Sequence, residues 1–323
     1  MGLLTTSVGS FPKPADLSRA RRQFAEGDID RAALEAEERK AVREVLALQE
    51  SLGIDLLVDG EMARGDMTTF FAERLEGMEV SGLVRSYGNR YYRKPRIVGE
   101  VQRPAPMTVE SWRFAQGATA RPVKAILTGP YTLMDWSFDE YYPSREKCCL
   151  ALAEVVRQEA EDLAAAGAKD IQIDEPAISA RQDELPLATT ALGIVTARLR
   201  GTARTWTHLC YGEFQPVLDR ILALPVDGLL LELSNSDFDL LDGLKRLPSD
   251  KILGAGVLDV HNHVVETPQQ VRERIERILE VVPAERVWLN PDCGLKTRTP
   301  EEAKGKLAAM VEAARTLRGS LGI

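Results

Sequence analysis

The sequence predicts an α/β fold, a single (β/α)8 TIM barrel. Three observations predict it: eight short apolar or β-branched runs, helix-periodic segments between them, and no glycine-rich dinucleotide fingerprint behind any run. The runs fall at 3–8, 55–58, 125–127, 170–173, 204–207, 228–231, 252–257 and 286–289. Strand, helix, strand repetition specifies a parallel sheet, because a parallel neighbour is reached only by a long crossover. Eight such units suit closure into a barrel. An open nucleotide-binding sheet loses its main support, since Gly-x-Gly-x-x-Gly follows none of the runs.

Taken in order, residues 13–52 form an N-terminal helical extension, with a charged amphipathic helix from about 30 to 52. Residues 61–124 are too long for a simple crossover. Within them, 84–101 carries Tyr87-Gly88-Asn89-Arg90-Tyr91-Tyr92 and reads as a β-hairpin inserted after the second strand, near the active face. Further on, Gly167 after Ala164-Ala165-Ala166 reads as a helix stop, and Thr267-Pro268 and Thr299-Pro300 as N-caps with proline at the first helical position. No linker or low-complexity stretch interrupts the chain, so 1–323 reads as one catalytic domain.

Composition narrows the function. Of 323 residues, 44% are apolar and 28% charged, the mixture of an ordinary globular enzyme. The 41 basic and 49 acidic residues leave a net charge of −8, with no basic stripe for nucleic acid. No apolar run reaches the roughly 18 residues of a membrane span, and no leader pattern opens the chain, so a cytoplasmic protein is expected. Four cysteines make no disulfide framework, and the adjacent Cys148 and Cys149 read as helix core.

Chemistry concentrates at strand ends. Thr207-His208-Leu209-Cys210 closes the fifth run, and alternation along a strand points His208 and Cys210 the same way. Glu232 follows the apolar sixth run, and Cys293 follows the eighth in Asn290-Pro291-Asp292-Cys293-Gly294. All four thus reach the rim where barrel enzymes place their sites. One histidine, two cysteines and a carboxylate make a tetrahedral zinc set and disfavour magnesium or calcium. Two thiolates and a carboxylate leave the ion electron-rich, unsuited to acidifying water but suited to holding a substrate thiol as a nucleophilic thiolate.

Taken together, Val8-Gly9-Ser10-Phe11-Pro12, Asp59-Gly60-Glu61, Asp174-Glu175-Pro176-Ala177, His208-Leu209-Cys210-Tyr211, Glu232, Gly256-Val257-Leu258-Asp259-Val260-His261 and Asn290-Pro291-Asp292-Cys293-Gly294-Leu295-Lys296-Thr297-Arg298 resemble the cobalamin-independent methionine synthases, over nearly the whole chain. Only the carboxyl-terminal barrel of those two-barrel enzymes is matched. The resemblance implies zinc on His208, Cys210, Glu232 and Cys293, with homocysteine as the thiol. It places the amino-acid end at Gly9 and Ser10, with Glu61 and Asp174 beside the ammonium. It also implies His261 as proton donor, and Arg90 and Trp136 as methyl-donor contacts.

The donor side departs from the family pattern. Tyr91 stands where the family has a cysteine, and Ala180 stands where it has an acidic residue, with Glu184 matching only after a shift. Shorter relatives look like core methionine synthases, so the expected donor is methylcobalamin or a methylated corrinoid protein, with Arg90, Tyr91 and Trp136 at its site. A cobalt(I) leaving group needs no proton, which would leave His261 an orienting role. The alternatives are 5-methyltetrahydrofolate as donor, another thiol such as coenzyme M as acceptor, or a non-catalytic zinc protein that binds a thiol.

Overall fold

A computed structural model describes residues 2–85 and 91–323. Its strands are β1 (Leu4–Thr5), β2 (Glu76–Arg85), β3 (Tyr91–Gln102), β4 (Ala125–Thr128), β5 (Phe138–Asp139), β6 (Asp170–Asp174), β7 (Arg204–Leu209), β8 (Gly228–Leu231), β9 (Ile252–Leu258) and β10 (Val287–Pro291). Helices alternate with β4 and β6–β10, the signature of an α/β architecture with seven parallel strands. The chain divides into two compact units.

Unit 1 comprises 1–63, 111–124 and 228–323. It orders its strands β1-β10-β9-β8, every ladder parallel, with Leu4 opposite Trp288 and Leu231 opposite Ala255. The predicted second strand, 55–58, is weaker than expected. Only two single parallel bridges form there, Thr6 to Leu56 and Leu57 to Val123. A side chain adds to that pairing: the Thr5 amide and hydroxyl both donate to Asp55 Oδ2, each at 2.8 Å. The N-terminal helices are Ala15–Glu26 and Arg31–Leu52, the second started by the Asp30 carboxylate accepting the Ala33 amide at 2.8 Å. Thr267 and Thr299 both close capping boxes, with Gln270 and Glu302, ahead of the helices Pro268–Leu279 and Pro300–Leu321.

Unit 2 comprises 64–110 and 125–227. Its parallel strands run β7-β6-β4, with Thr128 opposite Asp174. A separate three-stranded sheet, β2-β3-β5, pairs β2 and β3 antiparallel from Glu76 opposite Gln102 to Arg85 opposite Tyr91. The strands of the predicted hairpin therefore begin nearer residue 76 than 84. Its turn, including Arg90, lies outside the described residues.

In both units the parallel strands are mostly buried, including the polar positions of β6 and β7. Strands β4, β6 and β8 have no exposed position, as expected for sheets covered on both faces. Among the described residues no helix is long and apolar enough to cross a membrane.

Candidate functional site

Unit 1 carries six of the predicted residues, five on segments after its strands and Glu61 after the bridged run 55–58. Gly9 is buried and Ser10 half-buried in the segment after β1, and the Ser10 carbonyl accepts the Leu295 amide at 2.7 Å. That bond ties the serine to the segment just after Cys293. Glu61 sits at φ 53°, its amide donating to Asp59 Oδ1 at 2.9 Å and its carbonyl accepting Lys13 Nζ at 2.5 Å. A left-handed glutamate persists only where its surroundings hold it, a mark of functional segments.

Glu232 follows β8 directly and is buried. Its Oε1 makes a close hydrogen bond with His261 Nε2. The bond raises the imidazole pKa above its ordinary value; burial opposes the shift, and the negative charges of Glu232, Cys293 and Asp259 add to it. Glu232, His261 and half-buried Cys293 thus form one electrostatic group.

Asp292, one residue before Cys293, is the largest feature that spacing alone misses. Its carboxylate is fully buried and accepts the amides of Leu233 at 3.1 Å, Ser234 at 3.0 Å and Asn235 at 2.8 Å. It therefore anchors the backbone immediately after Glu232. Burial pushes its pKa up to about 7 against those three amides. The motif Asn290-Pro291-Asp292-Cys293 contains the residue but gives no sign of its partners, which lie 57–59 residues away.

Unit 2 supplies the other pair. His208 is the fifth residue of β7 and Cys210 follows its end; both are buried, and their ligand atoms lie within 4.8 Å of each other. The alternation of an extended chain places them side by side. Tyr211, next in line, takes φ 58° and is largely exposed. A ring nitrogen with a thiol, buried together, is a donor pair for a borderline-soft cation such as zinc.

At the end of β6, Asp174 is buried and its Oδ1 accepts Gln172 Nε2 at 2.7 Å. Glu175 turns away from it to the helix Pro130–Asp135, accepting the amides of Tyr131 at 3.0 Å and Thr132 at 2.7 Å and the Thr132 hydroxyl at 2.7 Å. Trp136 is the C-cap of that helix and half-buried. Glu184 is locked by Arg145 Nη2 and the Tyr131 hydroxyl, both at 2.6 Å. Asp135, next to Trp136, also binds Arg145, at 2.7 Å. Sequence reasoning misses this cluster because its members come from separate elements. Tyr91 lies at the start of β3, opposite Arg85.

The model of the cobalamin-independent synthase catalytic domain matches residues 3–316. The chain belongs to this family. It is 41% identical over 329 residues to the 5-methyltetrahydropteroyltriglutamate-homocysteine methyltransferase of Mycolicibacterium paratuberculosis, covering 99% of this chain and 44% of that protein. The counterpart from Parvibaculum lavamentivorans is 40% identical over 333 residues, covering 99% and 43%. The chain thus spans less than half the length of these relatives. Among solved structures, a B12-independent methionine synthase from Shewanella sp. W3-18-1, in complex with selenomethionine, aligns with a TM-score of 0.88 at 27% identity and covers 99% of both chains.

Family membership corrects the expected donor. The cobalamin-independent synthases are described as working without the corrin cofactor, and the two relatives are named for a methyltetrahydropteroyl donor. Neither methylcobalamin nor a methylated corrinoid protein is supported as the donor. The expectation failed for a physical reason: a soft, anionic ligand set constrains the thiol that accepts the methyl group. It carries no information about the group the methyl leaves.

Proposed function

We propose that this chain transfers a methyl group from a 5-methyltetrahydropteroylglutamate to homocysteine, forming methionine, with zinc held by His208, Cys210, Glu232 and Cys293. The observation that carries the reading is the buried pair His208 and Cys210 at the end of β7, a nitrogen and a sulfur donor within 4.8 Å of each other. The donor chemistry fits zinc, and Glu232 and Cys293 add the charge that favours thiolate over hydroxide chemistry. Zinc bound there would keep the substrate sulfur ionised at neutral pH, where a free thiol of pKa about 8.5 is mostly protonated.

The chain's own residues then divide the remaining work. Ser10 and the Gly9 backbone suit the substrate carboxylate, while Glu61 and Asp174 suit its ammonium. A departing folate nitrogen must gain a proton, and we assign His261 to give it; the contact with Glu232, which raises the imidazole pKa, supports that role. Trp136, Tyr91 and Arg90 are assigned to the donor.

We read the scaffold as one (β/α)8 barrel over 1–323, cytoplasmic, with 61–124 as its insertion. The single bridges at Leu56 and Leu57 support an eighth stave, as does the likeness to the Shewanella synthase.

The test is zinc content together with single turnover on homocysteine and 5-methyltetrahydropteroyltriglutamate. One zinc per chain and stoichiometric methionine are expected, and Cys210→Ser should lose both, activity falling at least about 100-fold. Full turnover by metal-free Cys210→Ser protein would falsify the reading.

A further inference from the structure

All three hydrogens of one buried ammonium go to the loop that carries His261. Lys306, in the helix Pro300–Leu321, has no exposed surface. Its Nζ donates to the carbonyl of Asp259 at 2.8 Å, to the carbonyl of Val264 and to Glu266 Oε2 at 2.9 Å. A lysine ammonium has three donors and no acceptor, so residues 259–266 use its whole capacity.

The other half of the network closes on the same loop. Glu266 is buried, and its Oε1 accepts the Asp259 amide at 2.8 Å and Arg274 Nη1 at 3.1 Å. Arg274 also donates to the Val257 carbonyl of β9 at 2.8 Å. Asp259 is therefore held by both its amide and its carbonyl. Its own Oδ1 accepts the His261 amide at 2.8 Å, and Oδ2 takes Asn262 Nδ2. From the final helix to the backbone of His261 the path is two residues long.

Stability alone does not account for this arrangement. A buried ion pair is often no better than a well-packed apolar replacement, because desolvation offsets its Coulomb energy. Such a network does supply geometry, and a proton donor displaced by about 1 Å can lose about 100-fold in rate. We propose that Lys306, together with Glu266, is a positioning residue that sets the His261 imidazole for proton delivery. The inference rests on the role given to His261 above.

The experiment is a double-mutant cycle on the full, zinc-loaded chain, using Lys306→Met, His261→Asn and the pair. It reads kcat, the KM for homocysteine and zinc per chain, with 5-methyltetrahydropteroyltriglutamate as donor. Lys306→Met should lower kcat by about 10–100-fold, with KM and zinc content within about twofold of the wild type; in the His261→Asn background it should cost less than about twofold. Glu266→Gln, which keeps the side-chain volume, should repeat the pattern.

Equal loss in both backgrounds, loss of zinc, or a chain that folds with neither Lys306→Met nor Glu266→Gln would make the network merely structural and overturn the proposal. Undiminished kcat in His261→Asn would instead sink the functional reading beneath it.

Discussion

Two buried carboxylates, one in each unit, are built alike and serve different segments. Asp292 and Glu175 each stand at or just past a strand end, each accept backbone amides from a distant segment, and each are pushed by burial to a pKa of about 7. Each also faces a glycine whose missing side chain makes room. A Cβ on Gly256 would lie 2.2 Å from Asp292 Oδ1, and one on Gly129 would lie 2.2 Å from the Glu175 carboxyl carbon. The difference lies in what is held. Asp292 orders the three amides after Glu232 and sits beside Cys293, whereas Glu175 seats the short helix that ends at Trp136. One device thus serves the proposed metal-ligand side in unit 1 and the proposed donor side in unit 2.

The largest effect should come from removing the unit 1 carboxylate. Asp292→Ala leaves three buried amides without their acceptor and frees the backbone next to Glu232, at a cost of about 3 kcal/mol or more. Zinc affinity should fall about 10–100-fold, as for other groups that orient a ligand from behind. Glu175→Ala should destabilise the fold comparably yet leave zinc affinity within about threefold. Chelator competition and denaturant unfolding on both variants check this contrast, and equal zinc loss in the two would erase it.

The glycine opposite Asp292 sharpens the point without touching a charge. Gly256→Ala would also bring its Cβ to 2.8 Å from the Leu231 carbonyl, so backbone must shift and no flexible side chain can absorb the clash. A loss of about 2–3 kcal/mol is expected, with a weaker echo in zinc affinity. A Gly256→Ala protein as stable as the wild type would mean that the close approach is not rigid.

These contrasts also mark how far the sequence alone reaches. Strand ends are readable because an apolar or β-branched run that gives way to polar residues is a local signal, and His208, Cys210, Glu232 and Cys293 all come at or after the ends of such runs. The N-caps at Thr267 and Thr299 are readable for the same reason. The run at 55–58 has the composition of a strand, but only Leu56 and Leu57 form β-bridges, one each. Composition reports burial here better than pairing. Lys306, Glu266 and the partners of Asp292 are invisible to spacing. A lysine inside a helix reads as solvated surface, and nothing near it in sequence shows that its acceptors lie 40–47 residues away.

The smallest expected effect is a change of slope, and it belongs to Glu175. Burial raises this carboxyl from 4.5 to about 7; the neighbouring Asp174 charge adds to the shift, and the Thr132 and Tyr131 donors oppose it. The folded state therefore holds a proton that the unfolded chain has released between those two values. The corresponding stability is fully present below the unfolded pKa and is lost as pH rises through about 7. Glu175→Gln cannot titrate, so its stability should fall less steeply than that of the wild type between pH 5 and 8, by roughly 2 kcal/mol across the range. Asp292, shifted the same way, keeps part of the slope in the variant. Urea unfolding at stepped pH would measure both curves. Parallel curves would mean that Glu175 is ionised in the fold as readily as in the open chain, leaving Asp292 as the one carboxylate of the pair held in a protonated state.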